Sequence, residues 1–476
     1  MTKPNTNKVQ ALIMNNYLLS ASLIYILSSF LLKGINFITT PIYTRVMSVE
    51  EYGTVSTAVS VTSFIAIFIC LQISGSINTA KVEYEGDSFK GYINHITIFA
   101  FIVAILWAVP LGLVGNQITS FMSLDNILII PIIVSAIGTC FVNIYSMYVI
   151  ALKRPKSKAI FSLIYSIMMV GVCLPAVILA NFHNDYARLF GIALVNLCVI
   201  CFVLIKIKED TKHITRSMED FKKDIKFGLG ISIPLIPHLF ANLINNQVDR
   251  VFIVRLLGQE QVGIYSAAYS LGMAGLAFTD AFIMAWNPWY FEKTKNGYNK
   301  EINLIAKSVL LLLSFLFSIV ILLAPEVLSI IAPSSYSSAK YCVVAVAYGV
   351  FFQTLYRFPL GYETCKKNTK YTALCTIITA GVNIGLNAIL IPLMGIFGAA
   401  IATTISYVVL FGLHDFIARK IIKYYNISIK SSVPSILIIT FAVIVSCFAM
   451  DMLLARIIGL CILLPAILVM ITRIRR

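Results

Sequence analysis

Charged residues are scarce in this sequence, and that scarcity is its most informative feature. Asp, Glu, Lys and Arg make up 12% of its 476 residues, whereas hydrophobic residues make up 59%. Soluble globular domains carry about 25% charged residues. The deficit excludes a string of soluble domains and predicts a polytopic membrane protein, because long apolar runs with few charges are typical of helices that cross a bilayer.

Motifs for nucleotide and metal chemistry are missing as well. The sequence contains no GxxxxGK[ST] loop that would hold the phosphates of a nucleotide. Only Cys198 and Cys201 have CxxC spacing, and they lie inside an apolar run without a second pair. A zinc site takes about four ligands. We therefore expect no metal site and no cofactor, and we expect the cysteines to be small buried apolar residues.

Apolar runs long enough for a hydrocarbon core about 30 Å thick recur along the whole chain. They predict an all-α protein of about 14 transmembrane helices. The approximate bounds of these spans are 17–43, 53–78, 93–114, 127–151, 159–180, 187–207, 228–255, 262–288, 303–330, 340–364, 370–392, 396–418, 433–450 and 455–472. The first run is too long for a signal peptide, so we interpret it as a retained helix.

The basic residues predict how the helices are oriented. The formal net charge is +16, but the basic residues sit in short clusters between the apolar runs. Nucleic-acid binding would need them on one face of a folded domain, so no nucleic-acid partner is expected. With the N-terminus in the cytoplasm, most of the 37 Lys and Arg residues fall in cytoplasmic segments, as the positive-inside rule requires. Both termini are therefore predicted to be cytoplasmic.

An internal repeat at an offset of 210 residues divides the chain in two. RVMSVEEYGTVSTA (45–58) aligns with RLLGQEQVGIYSAA (255–268), with identical Arg, Glu, Gly, Ser and Ala at matched positions. Both copies follow an inward-to-outward helix, so they predict two six-helix lobes related by an axis along the membrane normal. The predicted organisation is an N-terminal lobe (1–207), a cytoplasmic linker (208–227) near anionic lipid headgroups, a C-terminal lobe (228–420) and two peripheral helices (421–476).

Polar side chains recur at helical spacing within the first, seventh, eighth, tenth and eleventh predicted helices. They cannot face hydrocarbon without partners, and a lysine at the middle of a membrane helix costs about 2.5–3.5 kcal/mol. Polar stripes on the leading helices of both lobes predict a hydrated cavity between them. We expect its substrate-binding residues to be Lys33, Asn36, Asn242, Asn246, Arg250, Gln353 and Arg357.

Three cations within the predicted spans outnumber the acids buried with them. Lys33, Arg250 and Arg357 face only Asp249 and Asp280. Adjacent helical residues do not face each other, so Asp249 is expected to be poorly placed to neutralise Arg250. Two interpretations stay open. The cations pair with these acids across helices, or a surplus of positive charge binds an anion such as a diphosphate, which accepts charge-assisted hydrogen bonds.

A carrier with such a cavity would have to be driven without ATP, because the sequence has no nucleotide-binding loop. Moving negative charge outward is downhill across an inside-negative membrane, by about 2.3 kcal/mol per charge per 100 mV. Coupling to protons or Na⁺ is the alternative, and the candidate coupling residues are His238, Asp249 and Asp280. His238 is equally interpreted as a hydrogen-bonded core histidine.

Three stretches resemble a known family: YETCKKNTKYTALCTIITAGVNIGLNAILIPLMGIFGAAIATTISY (362–407), PIYTRVMSVEEYG (41–53) and LGQEQVGIYSAAYSL (257–271). The sequence resembles the polysaccharide or O-antigen repeat-unit flippases of the multidrug, oligosaccharidyl-lipid and polysaccharide exporter superfamily. The resemblance implies a V-shaped pair of lobes that alternates between inward- and outward-facing states. It also implies that the chain is no enzyme but moves undecaprenyl-pyrophosphate-linked oligosaccharide from the cytoplasmic to the periplasmic leaflet of a bacterial inner membrane. The partners it implies are membrane lipids, a polysaccharide polymerase and a chain-length regulator.

Other functions stay open at this point. A cationic-drug antiporter of the same superfamily would have a cavity rich in acids. A flippase for a peptidoglycan precursor would suit the last two helices, which carry almost nothing polar; a related flippase places two extra C-terminal helices beside a groove for the lipid tail. A membrane-embedded glycosyltransferase or polymerase would need a carboxylate pair or a large polar loop, and the longest loop has no DxD pattern.

Overall fold

The computed structural model describes residues 38–475, except 181–182, 215–216, 369 and 424, and these residues form helices without a β-strand. The helices of the first half are residues 38–46 (α1), Val49–Ile69 (α2), Ile77–Glu83 (α3), Gly86–Leu113 (α4), Gly115–Phe121 (α5), Ile129–Ala151 (α6), Pro155–Leu179 (α7) and Asn184–Thr211 (α8). Those of the second half are Met218–Leu257 (α9), Gln259–Gly272 (α10), Gly275–Lys295 (α11), Asn299–Leu322 (α12), Ala324–Ile331 (α13), Lys340–Leu355 (α14), Arg357–Cys365 (α15), Lys370–Met394 (α16), Ile396–Phe416 (α17), Ile429–Phe448 (α18) and Leu453–Arg475 (α19).

Thirteen helical segments in the described part are long and apolar enough to cross a membrane. Each overlaps one of the predicted spans from the second to the fourteenth, which confirms the all-α membrane fold; most of the first span, 17–43, lies outside the described residues. The predicted span 340–364 consists of two helices, α14 and α15, that meet at Tyr356. Pro359 in the first turn of α15 has no N–H to donate to the carbonyl of Leu355, which explains the break.

The predicted linker, 208–227, is mostly helical rather than an irregular loop. α8 continues to Thr211, and α9 begins at Met218. Ser217 caps α9: its hydroxyl accepts from the backbone N–H of Asp220 (3.1 Å), and its own N–H donates to the Asp220 carboxylate (3.0 Å). This reciprocal cap satisfies two N–H groups at the helix start, so the connection between the halves shortens to residues 212–217.

Cys198 and Cys201 are exposed on α8, although burial was expected. Residues three apart lie on the same face of a helix, and this face points away from the rest of the molecule. A thiol behaves as a small apolar group, so a lipid-facing position satisfies it as well as burial in protein would.

Two helical lobes are visible, and α9 contacts both. In the first lobe α8 packs on α4, α6 and α7; in the second α17 packs on α14 and α16. α9 has 40 residues, which at 1.5 Å per residue makes it about 60 Å long. Its first part packs on α4, where Asp224 Oδ2 lies 2.8 Å from His95 Nδ1, and its later part packs on α16 and α2. Pro234 and Pro237 lie between these parts.

The tightest contact between the lobes joins the two copies of the sequence repeat. A Cβ on Gly53 of α2 would lie 1.9 Å from the carbonyl oxygen of Gln259, and a Cβ on Gly263 of α10 would lie 2.1 Å from that of Val49. Val49 and Gln259 are themselves 210 residues apart. The contact is therefore reciprocal, as between two parts related by a two-fold axis. We refer to this end of the molecule as the α9–α10 end, and to the opposite end, which holds residues 212–217, as the linker end.

The last two helices form a hairpin on the outside of the second lobe. α18 packs on α12 and α14, and α19 packs on α12 and α18. Arg456 of α19 is 2% exposed and donates to both carboxylate oxygens of Glu326 at 2.6 Å and to the carbonyl of Leu322 at 2.7 Å. A forked arginine–carboxylate pair fixes geometry strongly, so this pair holds the hairpin against α12 and α13.

Replacing Gly53 by Ala should destabilise the contact between the repeats. The new Cβ overlaps the backbone oxygen of Gln259, so α2 and α10 must separate, and overpacking of this kind typically costs about 1–3 kcal/mol. The melting temperature of the purified protein should fall. Gly381→Ala is the control, because nothing lies within 4 Å of that Cβ position and alanine favours the helix. Equal melting temperatures for the two variants would contradict the close approach.

The Glu326–Arg456 pair should make stability depend on pH. The hydrogen bond from Arg456 lowers the pKa of Glu326 below its usual value. The ionised carboxylate therefore stabilises the fold above the unfolded-state pKa of about 4.3, and this contribution is lost as the pH falls through the lower folded-state value. Glu326→Gln should lower the melting temperature at neutral pH, with a difference from wild type that shrinks on acidification. A difference that does not vary with pH, or one matched by Glu85→Gln at an exposed glutamate, would contradict this role.

Candidate functional site

A buried polar cluster lies where α9 passes α10 and α17. Asp249 and Arg250 of α9 are 2% and 7% exposed. Asp249 Oδ1 accepts from the backbone N–H of Arg250 at 2.8 Å and from its guanidinium at 3.1 Å. The expectation that Asp249 could not neutralise Arg250 is therefore wrong. Adjacent Cβ atoms do point apart, but the arginine side chain is long enough to curl back to the preceding carboxylate.

Two tyrosines of α10 complete the surroundings of this pair. Tyr265 donates its hydroxyl to Asp249 Oδ2 at 2.5 Å, and the Arg250 guanidinium lies 4.5 Å from the ring centre of Tyr269. Arg250 also donates to the backbone carbonyl of Asn246 at 3.1 Å. A cation over an aromatic face is attracted by the negative face of the ring. The ion pair is thus charge-balanced and largely enclosed.

Asn242 and Asn246 extend the same stripe of α9 toward the linker end. Asn246 accepts from the hydroxyl of Tyr407 on α17 at 2.9 Å and donates to the carbonyl of Asn242 at 2.6 Å. Asn242 is exposed, and Asn246 is half-buried. An exposed amide inside a membrane-spanning helix requires water or a ligand rather than hydrocarbon, so this strip of α9 is suited to a wet cleft.

A second polar cluster lies on α11, α14 and α15. Arg357 at the start of α15 pairs with Asp280 of α11, and their side chains are 21% and 28% exposed. Gln353, one turn earlier, is buried, and its Oε1 has no hydrogen-bond partner among the described residues. No hydrogen bond or ion pair between described residues joins this cluster to the one around Asp249. The five predicted binding residues that the structure describes therefore occupy two patches of the second lobe.

Two of the three predicted cations are paired with acids. Arg250 pairs with Asp249, its neighbour on the same helix, and Arg357 pairs with Asp280 across helices, so ion pairing applies to both, and the predicted surplus of positive charge depends on Lys33. The reason is that burial of an uncompensated charge is costly, whereas an acid within reach removes that cost. Lys33 and Asn36 lie outside the described residues. His238 is half-buried, and its Nδ1 has no partner in the described structure.

Two arginines fasten the lobes to each other at the α9–α10 end. Arg45 of α1 donates to the carbonyls of Ile330 (2.7 Å) and Ile331 (3.4 Å) at the end of α13. Arg255 of α9 donates to the carbonyl of Phe121 at the end of α5 (3.2 Å). Arg45 and Arg255, and likewise Phe121 and Ile331, are 210 residues apart. Each lobe thus contributes one arginine to the last carbonyls of a short helix in the other lobe, where unpaired carbonyls accept such donors.

Gln259 adds a further tie between the lobes at this end. It donates to the carbonyls of Met122 (2.9 Å) and Ser123 (3.0 Å) and accepts from the hydroxyl of Thr57 (2.7 Å). Nearby, Ser60 of α2 lies 2.9 Å from the side-chain oxygen of Gln247 on α9. Together with the glycine contacts, these bonds hold the lobes together at the α9–α10 end.

Several polar partners were missed by the sequence analysis. Tyr265 and Tyr269 are four residues apart on one face of α10, and this face contacts the Asp249–Arg250 pair of α9. The spacing is visible in the sequence, but the aromatic character of both residues concealed their polar role. Glu363 and His414 form a fully buried pair at 2.8 Å. They are 51 residues apart, and no local pattern joins them.

Comparison with known proteins adds the evolutionary relation. Residues 18–294 match the family described as polysaccharide biosynthesis protein. This match spans more than half of the chain. The chain belongs to that family. An Lsg locus protein of Haemophilus influenzae is 21% identical to this family member over 75% of its length and 87% of the relative's. A protein named as a low-salt glycan biosynthesis flippase, from Haloferax volcanii, is 27% identical over 35% of this chain and 36% of its own.

A solved structure has the same fold over nearly the whole chain. The lipid II flippase MurJ in an inward closed conformation superimposes with a TM-score of 0.71, covering 95% of this chain and 99% of MurJ, at 15% identity. At this identity the likeness establishes the fold and not the substrate. The two proteins therefore share one helical fold.

Removing the two arginine ties should loosen the α9–α10 end. Spin labels at positions 46 and 256, which are exposed and occupy equivalent places in the repeat, report the separation of the lobes by pulsed electron–electron resonance once exposed native cysteines are replaced. Arg45→Ala combined with Arg255→Ala should broaden the distance distribution and shift it to longer values. Arg419→Ala, which removes an arginine bonded to Asp415 within one helical segment, is the control. An unchanged distribution in the double variant would contradict the role of the two ties.

Proposed function

We propose that this protein is a flippase for undecaprenyl-pyrophosphate-linked oligosaccharide, such as an O-antigen or capsule repeat unit. It moves the headgroup from the cytoplasmic to the periplasmic leaflet by alternating access. Three findings support the proposal: membership of the polysaccharide biosynthesis protein family, a flippase among the relatives and the fold shared with a lipid flippase. In this assignment the α9–α10 end faces the periplasm, and both termini are in the cytoplasm of a bacterium with the protein in its inner membrane.

The observation that carries the proposal is the combination of one closed end with a polar strip beside it. The repeats meet at Gly53 and Gly263, and the strip of α9 with Asn242 and Asn246 continues away from that contact toward the linker end. In a carrier whose lobes are closed at this end, such a strip would be reached from the opposite end, which is the arrangement expected of an inward-facing state. Amides and tyrosine hydroxyls in such a cleft can replace water around sugar hydroxyl groups.

Anion recognition in this proposal depends chiefly on Lys33. Arg250 is enclosed and charge-balanced, and Arg357, whose side chain is 21% exposed, pairs with Asp280. We propose that Lys33 binds the diphosphate, that Asn36, Asn242 and Asn246 bind sugars, and that Gln353 and Arg357 border the site. The inside-negative membrane potential would favour outward movement of the charged headgroup.

A second candidate is a flippase for a peptidoglycan precursor, favoured by the TM-score of 0.71 to the lipid II flippase and by the shared C-terminal hairpin. Both candidates carry a polyprenyl diphosphate, and the lipid tail would lie in the bilayer beside α18 and α19. A cationic-drug antiporter is the weaker alternative, because Asp249 and Asp280 are already neutralised by arginines. A polysaccharide polymerase and a chain-length regulator are the protein partners that this function suggests.

The proposal is tested by complementation of strains that lack either an O-antigen flippase or a lipid II flippase. Restored surface polysaccharide supports the first function, rescued growth of the second strain supports the alternative, and protection from cationic drugs without either supports the antiporter. Failure in all three assays, with normal abundance in the membrane, would overturn the flippase proposal for these substrates.

Lys33→Ala should lower transport by about tenfold or more at equal membrane abundance, because a charge-assisted hydrogen bond contributes about 1.5–3 kcal/mol. Lys90→Ala is the control, since Lys90 is an exposed lysine paired with Asp87 in the same turn. Arg250→Ala should instead lower abundance, because it leaves the Asp249 carboxylate buried without its cation, a change that costs about 3–5 kcal/mol. If Arg250→Ala had normal abundance but no transport, Arg250 would be a substrate-binding residue after all. Full activity of Lys33→Ala would show that Lys33 does not bind the substrate.

A further inference from the structure

A second buried acid–base pair lies deep in the C-terminal lobe, away from the residues assigned to the substrate. Glu363 of α15 and His414 of α17 are both 0% exposed, with Glu363 Oε1 2.8 Å from His414 Nδ1. The other carboxylate oxygen accepts a long hydrogen bond of 3.4 Å from the hydroxyl of Thr372 on α16. His414 Nε2 is buried and has no hydrogen-bond partner among the described residues. The pair and Thr372 therefore join α15, α16 and α17, and the second ring nitrogen of His414 makes no hydrogen bond with the described residues.

The groups that face this pair come from every neighbouring helix. The ring of Tyr356, at the α14–α15 break, lies 5.4 Å from the imidazole of His414. His238 of α9 lies near His414, and Cys375 and Tyr425 lie near Glu363. None of these described groups is itself a permanent cation. The neighbouring arginines are paired with acids: Arg419, 4.9 Å from the ring centre of Tyr425, bonds to Asp415, and Arg357, next to Tyr356 in the chain, bonds to Asp280. Whether the site is charged is therefore decided by the protons it holds.

The contrast with the other buried acids of this lobe is informative. Asp249 and Asp280 each bond to an arginine, which stays protonated in proteins, so each of these carboxylates has a permanent cation as its partner. Among the described residues, the side chains that bond to Glu363 are an imidazole and a hydroxyl. An imidazole is the side chain that gains and loses a proton most readily near neutral pH. The Glu363–His414 pair is therefore a buried acid site whose partner can itself change charge.

We propose that Glu363 and His414 form a proton-binding site that is loaded and emptied once in each transport cycle. In the empty state a glutamate carboxylate accepts from a neutral imidazole, and the pair carries one negative charge. Water in the cleft delivers one proton to the pair, either to Nε2 or to the carboxylate, and the pair becomes neutral overall. Release of that proton to the other side restores the charge. No covalent bond other than those to the proton changes.

The location of the pair links its charge to the movement of the lobes. His238 lies near His414 and directly follows Pro237. Both residues belong to the segment of α9 that separates the part packed on the first lobe from the part packed on the second. A buried negative charge is costly, so the packing of α15, α16 and α17 around the pair should differ between its protonated and deprotonated states. The inference rests on the proposed flippase function for its role in a cycle, but proton binding itself can be measured without any substrate.

The test is pH-difference infrared spectroscopy of the purified full-length protein, compared with Glu363→Gln, His414→Gln and Asp224→Asn. Asp224, near the start of α9, provides the matched control, because its carboxylate also lies 2.8 Å from a histidine, His95 of α4. We expect a protonated-carboxyl or imidazolium band whose intensity changes with pH, and this band should disappear in Glu363→Gln, shift in His414→Gln and persist in Asp224→Asn. Melting temperatures establish that each variant is folded.

A pair with a purely structural role would behave differently. Glutamine in place of Glu363 keeps an acceptor for His414, so a structural pair would leave transport intact in the complementation assay. The proposal expects Glu363→Gln to lose the pH dependence of transport and at least about tenfold of its rate at the pH optimum. A titrating band unchanged in both Glu363→Gln and His414→Gln, or unchanged in His414→Gln where the first variant does not fold, would overturn it. Full pH-dependent transport in Glu363→Gln would overturn the coupling role while leaving the flippase function in place.

Discussion

The absence of water from the bilayer interior constrains this protein more than any other condition. Each polar group inside the membrane must find a partner within the chain or line a wet cleft. The buried ions follow that rule closely. Asp249 accepts from Arg250 and Tyr265, and Arg456 donates to a carbonyl at the end of α12 and to the carboxylate of Glu326. The same rule leaves few places where polar side chains remain accessible, and these mark the candidate site on α9.

The pseudo-two-fold relation between the lobes explains how a few residues, each used once in either repeat, close one end of the molecule. Gly53 approaches the helix start of the other copy, and Gly263 does the same in return. Arg45 and Arg255 then reach the last turns of α13 and α5. The glycine and arginine contacts at this end therefore come as equivalent pairs, so an opening motion would break both members of each pair. A reciprocal seal of this kind is suited to a cooperative two-state change.

The electrostatics of the site differ from a simple cationic cavity. Arginines paired with acids stiffen α9–α10 and α11–α15 but add no net charge to the cleft. Under the proposed function, a surface of hydroxyls and amides is suited to binding the sugars of a headgroup. In the proposed cycle, the charge that changes is held by Glu363 and His414, whose hydrogen-bond partners in the described structure include no permanent cation.

Hydrophobic runs by themselves determined the class of the protein and the order of its described helices, because apolar length is a local property, and matching residues at one offset revealed the repeat. The polar stripe of His238, Asn242, Asn245 and Asp249 was also predictable, since spacings of three and four residues define one helix face. The sequence did not decide which pairs form: Arg357 meets Asp280 across 77 residues, one of the pairings left open, and His414 meets Glu363 across 51. Side-chain partners depend on how helices pack and how far a flexible arginine can curl, and only the tertiary structure decides both.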